Sequence, residues 1–192
     1  MPSGVYLHVE EGLEEHFQCA PGPGGWRYTS RRSDGVRVDL VTDSRWRQIR
    51  VELVTPTWWV RGGVTGPEVA WVRAAGETGT EHHERASGFL PDSPGFLIAV
   101  ARCLGLSERE EADVRLVRLR GPSLAPLTGT WRWRLAETSV HETETEPLPV
   151  SRYDVTDLST GETEAVYMAG DVVLAAPGVD LTDLESPPNL LS

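Results

Sequence analysis

The sequence predicts a mainly β protein: an antiparallel curved sheet, or double half-barrel (a β-roll), folded around one buried helix near residues 94–103. Three observations carry this reading. Most of the 192 residues fall into short segments in which apolar and polar side chains alternate, as on a half-buried strand. Two-residue turn signals, Asp34-Gly35 and Thr160-Gly161, separate such segments as hairpins require. Only one run, Phe89–Gly105, carries helix signals at both ends, and it is apolar nearly all round with Arg102 its only charge past Asp92. An exposed helix would keep a polar face, so this one belongs inside.

In chain order, Val5–Val9 alternates weakly, Glu10–Glu15 reads as an acidic link and Cys19–Gly25 as a Pro/Gly loop. Trp26–Ser30 pairs through Asp34-Gly35 with Val36–Thr42, where Val36, Val38 and Leu40 share a face; Arg31-Arg32 reads as solubilising the turn. Trp46–Val54 then places Ile49, Val51 and Leu53 on one face and Trp46, Gln48, Arg50 and Glu52 on the other. Thr57–Arg61 and Val69–Ala74 follow across a Gly-rich turn, with His82–Ala86 as a further strand before the helix. Asp92 or Ser93 suits the helix cap, Pro94 its first position and Gly105 its stop.

After the helix, Val114–Arg120 changes apolar phase between Leu116 and Val117, which predicts a bulge. Thr130–Glu137 carries Trp131, Trp133 and Leu135 on one face, and Pro147–Pro149 reads as a break. Tyr153–Asp157, Glu164–Met168 and Val172–Ala176 complete the strands. The expected organisation is a single domain over residues 1–178, in two halves of about 1–90 and 106–178 bridged by the helix, with 179–192 as a partly ordered tail.

A net charge of −11 argues against nucleic-acid binding and against docking on anionic lipid. All 18 basic residues are arginine, a sign of a GC-rich, actinobacterial genome; lysine Schiff-base chemistry is therefore excluded. No apolar run is long enough to span a membrane and no secretory signal is visible at Met1-Pro2-Ser3-Gly4, so a cytoplasmic location is expected. Cys19 and Cys103 lack near partners and read as packing cysteines. Oligomeric state is not legible.

Phosphate-loop, dinucleotide and nucleophile-elbow patterns are absent from the sequence. His82-His83-Glu84 is the most chemical-looking cluster, but adjacent histidines on a strand diverge, so no metal site is expected; His82 and Glu84 share a face. Glu142, Glu144 and Glu146 alternate and read as a solvated face beside His141. The seven Trp are more informative. Filling an ordinary core is their commonest role; the sharper reading is that several border a wide cleft, where rigid rings contact a ligand at low entropic cost.

A longer pattern joins these parts. The run Gly25-Trp26, Val36–Thr42 and Trp46–Val51, then Leu104-Gly105-Leu106, Val114–Arg118 and Ser123–Leu127, resembles the bacterial glycolipid-binding family over roughly residues 13–136, and Tyr153–Gly178 resembles its closing strands. The resemblance implies two curved half-barrels similar to lipoprotein carrier proteins, with a glycolipid role that was itself inferred from shape. In the family's Asn-Thr-Leu-Pro-Ile-Arg-Arg-Leu segment only Arg102 and Leu104 carry over, and its Cys-x-Asp-Val-Asp-Leu segment has no match before Gly88. The fold therefore transfers further than the ligand.

The functional expectation is non-covalent binding of a largely apolar small molecule, a lipid, glycolipid or polyketide-like metabolite. Its expected ligand-binding residues are Trp46, Arg50, Trp59, Trp71, Phe89, Trp131 and Trp133, with no cofactor. The rival is a cofactor-free cyclase, isomerase or lyase in the same scaffold, with His82, Glu84 or Asp92 moving protons. A third reading is a partner-binding module whose core is filled by the Trp set.

Overall fold

The computed structural model describes residues 1–22, 24–143 and 146–190. The chain is mainly β: among the described residues fourteen strands form one antiparallel, curved, nearly closed barrel-shaped sheet around a single helix. Eight strands precede the helix: β1 (Ser3–His8), β2 (Leu13–Gly22), β3 (Gly25–Arg32), β4 (Arg37–Asp43), β5 (Gln48–Val54), β6 (Trp59–Thr65), β7 (Glu68–Ala74) and β8 (Gly79–Glu84). The helix is α1 (Pro94–Leu104). Six strands follow: β9 (Glu111–Arg120), β10 (Ala125–His141), β11 (Leu148–Asp157), β12 (Thr163–Ala169), β13 (Val172–Ala176) and β14 (Val179–Leu184).

Each strand pairs with its sequence neighbours, and the sheet becomes continuous because β1 also pairs with β14. Residues 179–184, expected in a tail, thus form a strand of the sheet, β14, paired with β1. The remaining gap, between β8 and β9, is bridged by the chain entering the helix. Phe89 pairs parallel to Val117, with Val117 N donating to Gly88 O at 2.9 Å and Leu90 N to Val117 O at 2.9 Å. From inside, the buried Gln48 amide accepts from Phe89 N at 2.7 Å and donates to Phe89 O at 3.0 Å, so one side chain supplies what a neighbouring strand would. Outside, Arg115 holds Arg85 O and Glu84 across the same seam.

α1 forms where expected. Gly105, at φ 57, ends it in the left-handed conformation that glycine adopts without strain, its N–H returning to Ala101 O. Phe96, Ile98, Ala99, Val100 and Ala101 are buried, so the helix fills the barrel interior. Gly95 is required by close approach: a Cβ there would sit 2.4 Å from the Tyr28 ring. In this meander the hairpin turns alternate between two ends. Ser93 at the helix start lies with turns such as 9–12, 33–36, 55–58 and 121–124, while Arg102 near its close bonds Gly170 O in the β12–β13 turn at the other end.

Several local expectations are corrected. Glu15 lies inside β2, not in a link, and Cys19–Gly22 continues that strand. Trp46 stands in the β4–β5 turn at φ 62, held by its N–H to Asp43 O, so the strand begins only at Gln48. A bulge opposite Val41 and Thr42 then sends both Ile49 and Arg50 outward, which breaks the expected Ile49–Val51–Leu53 face. Conversely, β9 pairs with β10 without a slip although Leu116 and Val117 are both buried. The entering segment 87–90 bonds to β9 at that point, so the phase change reflects a strand covered on both sides. β11 starts within the expected Pro147–Pro149 break, at an edge of the pairing where Pro149 faces Val140.

Candidate functional site

At the end of the barrel where α1 begins, the interior opens into a cavity of about 770 Å³. Val38, Leu53, Leu119, Trp131, Val155 and Val166 supply its apolar wall, all of them inward positions of their strands. The turn 121–124 folds over it and is tied across the mouth, Thr55 Oγ1 donating to Pro122 O at 2.9 Å and Arg73 Nε to Ser123 O at 2.9 Å. Arg73 is further seated 3.7 Å over the Trp58 ring. The lining includes eight carboxylates against three arginines and one histidine. Two of those arginines are paired locally, Arg32 with Asp34 and Arg118 with Asp92, so the mouth is predominantly negative.

Between this cavity and the helix start lies a buried polar cluster. Glu15 is 2% exposed and its neighbour across the hairpin, His8, 4%. His8 Nε2 lies 2.7 Å from Glu15 Oε2, while Oε1 accepts from Tyr28 Oη at 2.9 Å and Ser93 Oγ at 2.7 Å. Local structure explains the assembly. Tyr6 and His8 share the inward face of β1, and Glu15, Phe17 and Cys19 that of β2, with Tyr6 directly opposite Glu15. Ser93 occupies the N-cap position, yet its hydroxyl makes no cap bond and serves Glu15 instead. The carboxylate therefore sits at the helix N-terminus, where the macrodipole favours negative charge.

Burial, the largest single influence on Glu15, pushes its carboxyl up, but hydrogen bonds from His8, Ser30 and Ser93 and the charge of His8 hold it below the usual range. The carboxylate is thus ionised and can only accept, so the His8 nitrogen that faces it, Nε2, carries a proton. Burial and the adjacent Glu15 charge raise the Tyr28 phenol well above its ordinary value, leaving it a donor.

A second buried carboxylate, Asp171, lies at the opposite end. It accepts from Trp26 Nε1 at 3.1 Å and from Asn189 N and Nδ2 at 2.8 Å each, so residues near 189 are latched over the barrel floor. Burial pushes the neighbouring Cys19 thiol far up, which leaves it an unreactive packing residue, and Cys103 is also free.

The residues singled out from sequence are dispersed. Trp131 lines the cavity and Asp92 stands at its mouth, exposed and paired with Arg118 at 3.4 Å. Trp71 and Phe89 meet edge to face in the core, with His82 stacked on Trp71 at 5.1 Å. Glu84 is taken up by Arg115 on the seam. Trp133 is fully buried against Tyr153. Trp46 packs on Trp26 at the opposite end; Trp59, under Arg61, and Arg50, paired with Asp39, face outward. Arg32 lies in β3 at the cavity mouth instead of a loop. Glu142, Glu146 and His141 are exposed, and Glu144 lies outside the described residues. His8 and Glu15 escaped sequence reasoning; the one signal for them was the in-phase spacing Glu15–Phe17–Cys19, which puts a carboxylate on an apolar face.

Among the described residues no group of three or more His, Cys, Asp or Glu is placed to hold a metal ion, and no helix is long and apolar enough to cross a membrane. No family model matches the chain, and no curated protein does. The expected glycolipid-binding family is therefore not established as its own. Among solved structures the chain is similar to a DUF1089-family protein from Pseudomonas aeruginosa, at 15% identity, 85% coverage of this chain and 89% of that one, and a TM-score of 0.58. What the two proteins share is a fold.

Proposed function

We propose that the protein binds a largely apolar small molecule, with a neutral or cationic head group, in the cavity at the start of α1. The reading rests on the cavity itself. Its volume of about 770 Å³ falls within the range of small-molecule sites, and apolar walls converge on a few fixed polar groups. Apolar ligand surface contributes about 25 cal/mol per Å², so about 300 Å² yields roughly 7 kcal/mol against an association cost of about 4 kcal/mol or more, and hydrogen bonds to the polar groups of the site must supply the rest of a millimolar or tighter affinity. The excess of carboxylates at the mouth opposes an anionic head group and narrows the expected lipid, glycolipid or polyketide-like ligands to neutral or cationic ones.

The test is a titration with decyl glucoside, decyltrimethylammonium and decanoate, each below its critical micelle concentration, followed by tryptophan emission. The first two should produce a saturable change that Trp131→Phe removes and Trp59→Phe preserves, and decanoate should bind at least about tenfold more weakly. If none binds below about 1 mM the cavity is not a ligand site.

A further inference from the structure

We propose that His8 and Glu15 form an acid–base dyad serving the cavity, with His8 Nδ1 as the proton acceptor and Glu15 as its positioning residue. The proposal builds on the cavity as a small-molecule site and adds a reaction to it. His8 lines the cavity, and its Nδ1 makes no hydrogen bond to a described residue. Its Nε2 is committed to Glu15 at 2.7 Å. Glu15 in turn is immobilised by Tyr28, Ser93 and the start of α1, so the imidazole is held in one orientation and one tautomer. A carboxylate that orients a histidine and stabilises its protonated form, next to an apolar space from which water can be displaced, is the arrangement general-base chemistry needs.

The site favours an apolar molecule that is not anionic, and the substrate class on which a single base of this kind can act without a co-reactant is one bearing a carbon acid next to a carbonyl. His8 Nδ1 takes the proton, the C–H electron pair moves into the enolate, and the imidazolium returns the same proton at a second carbon or at oxygen. The product is an isomer, so the step balances without oxidant, reductant or co-reactant.

The proposal is tested with 5-nitrobenzisoxazole, a neutral aromatic probe. A base removes its C3 proton, the electron pair forms the nitrile, the N–O bond breaks and the oxygen leaves as a coloured phenolate; the imidazolium then releases its proton to water. Binding is read by quenching of tryptophan emission and turnover by absorbance, so the two are separated. Wild-type protein should accelerate the elimination saturably, and His8→Gln should lower the bound-state rate at least about tenfold while changing probe affinity less than about threefold. Glu15→Gln should also slow it, and ¹⁵N NMR of the His8 ring should report the Nε2-protonated tautomer in wild type and its loss in that variant. Should His8→Gln fail to fold, carbethoxylation of His8 in the native protein, mapped by mass spectrometry, must abolish the rate. A bound probe that reacts equally fast in wild type and His8→Gln overturns the dyad. A probe that fails to bind while decyl glucoside binds overturns the dyad alone; failure of both overturns the cavity reading beneath it.

Discussion

Replacing Glu15 probes the cluster at its centre. Its carboxylate accepts hydrogen bonds from His8, Tyr28 and Ser93, groups almost fully removed from water, and Tyr28 is at 0% exposure. Hydrogen bonds to a charged group contribute about 1.5–3 kcal/mol each, but not additively, and stranding a buried donor costs about 1–3 kcal/mol. Glu15→Leu should therefore cost about 3–5 kcal/mol, the figure typical of breaking a buried network. Glu15→Gln keeps the shape and one carbonyl, loses the charge and should cost about 1–2 kcal/mol. The folded-state carboxyl lies below its ordinary value, so its contribution is fully present above the unfolded value of about 4.3 and is lost as pH falls through the lower folded value. Urea denaturation of wild type and Glu15→Gln should give their full difference at about pH 6–7 and a shrinking one below about pH 4. Other carboxylates titrate in both proteins and drop out of the comparison. A difference that stays constant with pH, or none at pH 7, would refute an ionised, network-held Glu15.

Three further outcomes follow from the fold. Ala99→Asp places a carboxylate on a fully buried face of α1 and should cost several kcal/mol in urea denaturation; native-like stability would mean that the helix is not the barrel's filling. Gln48→Leu strands the Phe89 amide and carbonyl, so it should cost about 2–4 kcal/mol, and hydrogen exchange should accelerate first at Phe89 and Val117, the seam the side chain closes. Truncation after Ser186 removes two donors from Asp171 and should lower Tm by about 4–8 °C, for about 2 kcal/mol, without altering ligand titrations at the opposite end.

The helix and most hairpins were legible because their causes are local. Pro94, Gly105 and an all-apolar run specify α1, and Gly35 and Gly161 at positive φ mark their turns. Closure was not legible. The pairing of β1 with β14 joins opposite ends of the chain, and the Gln48–Phe89 contact spans 41 residues. The site was obscured for two reasons. Glu10, Glu11, Glu14 and Glu15 together resemble a solvated acidic link, which hides that only Glu15 is in phase with Phe17 and Cys19. Its partner Ser93 is 78 residues away and looks like an ordinary helix cap. The Trp residues misdirect for a related reason: alternation assigns a ring to a face, but which inward rings border space and which fill it depends on where α1 lies. Trp131 borders the cavity and Trp133, two residues on, is enclosed in the core.

Native mass spectrometry of decyl glucoside complexes, comparing wild type with Leu97→Trp, tests the cavity most directly. Leu97 is a partly exposed position of α1 that lines the cavity, so an indole there occupies ligand space without disturbing the buried helix face. A one-to-one complex in wild type that weakens at least about tenfold in Leu97→Trp, with melting unchanged, is the predicted result. Equal complex formation by both proteins would place the ligand elsewhere and contradict the account.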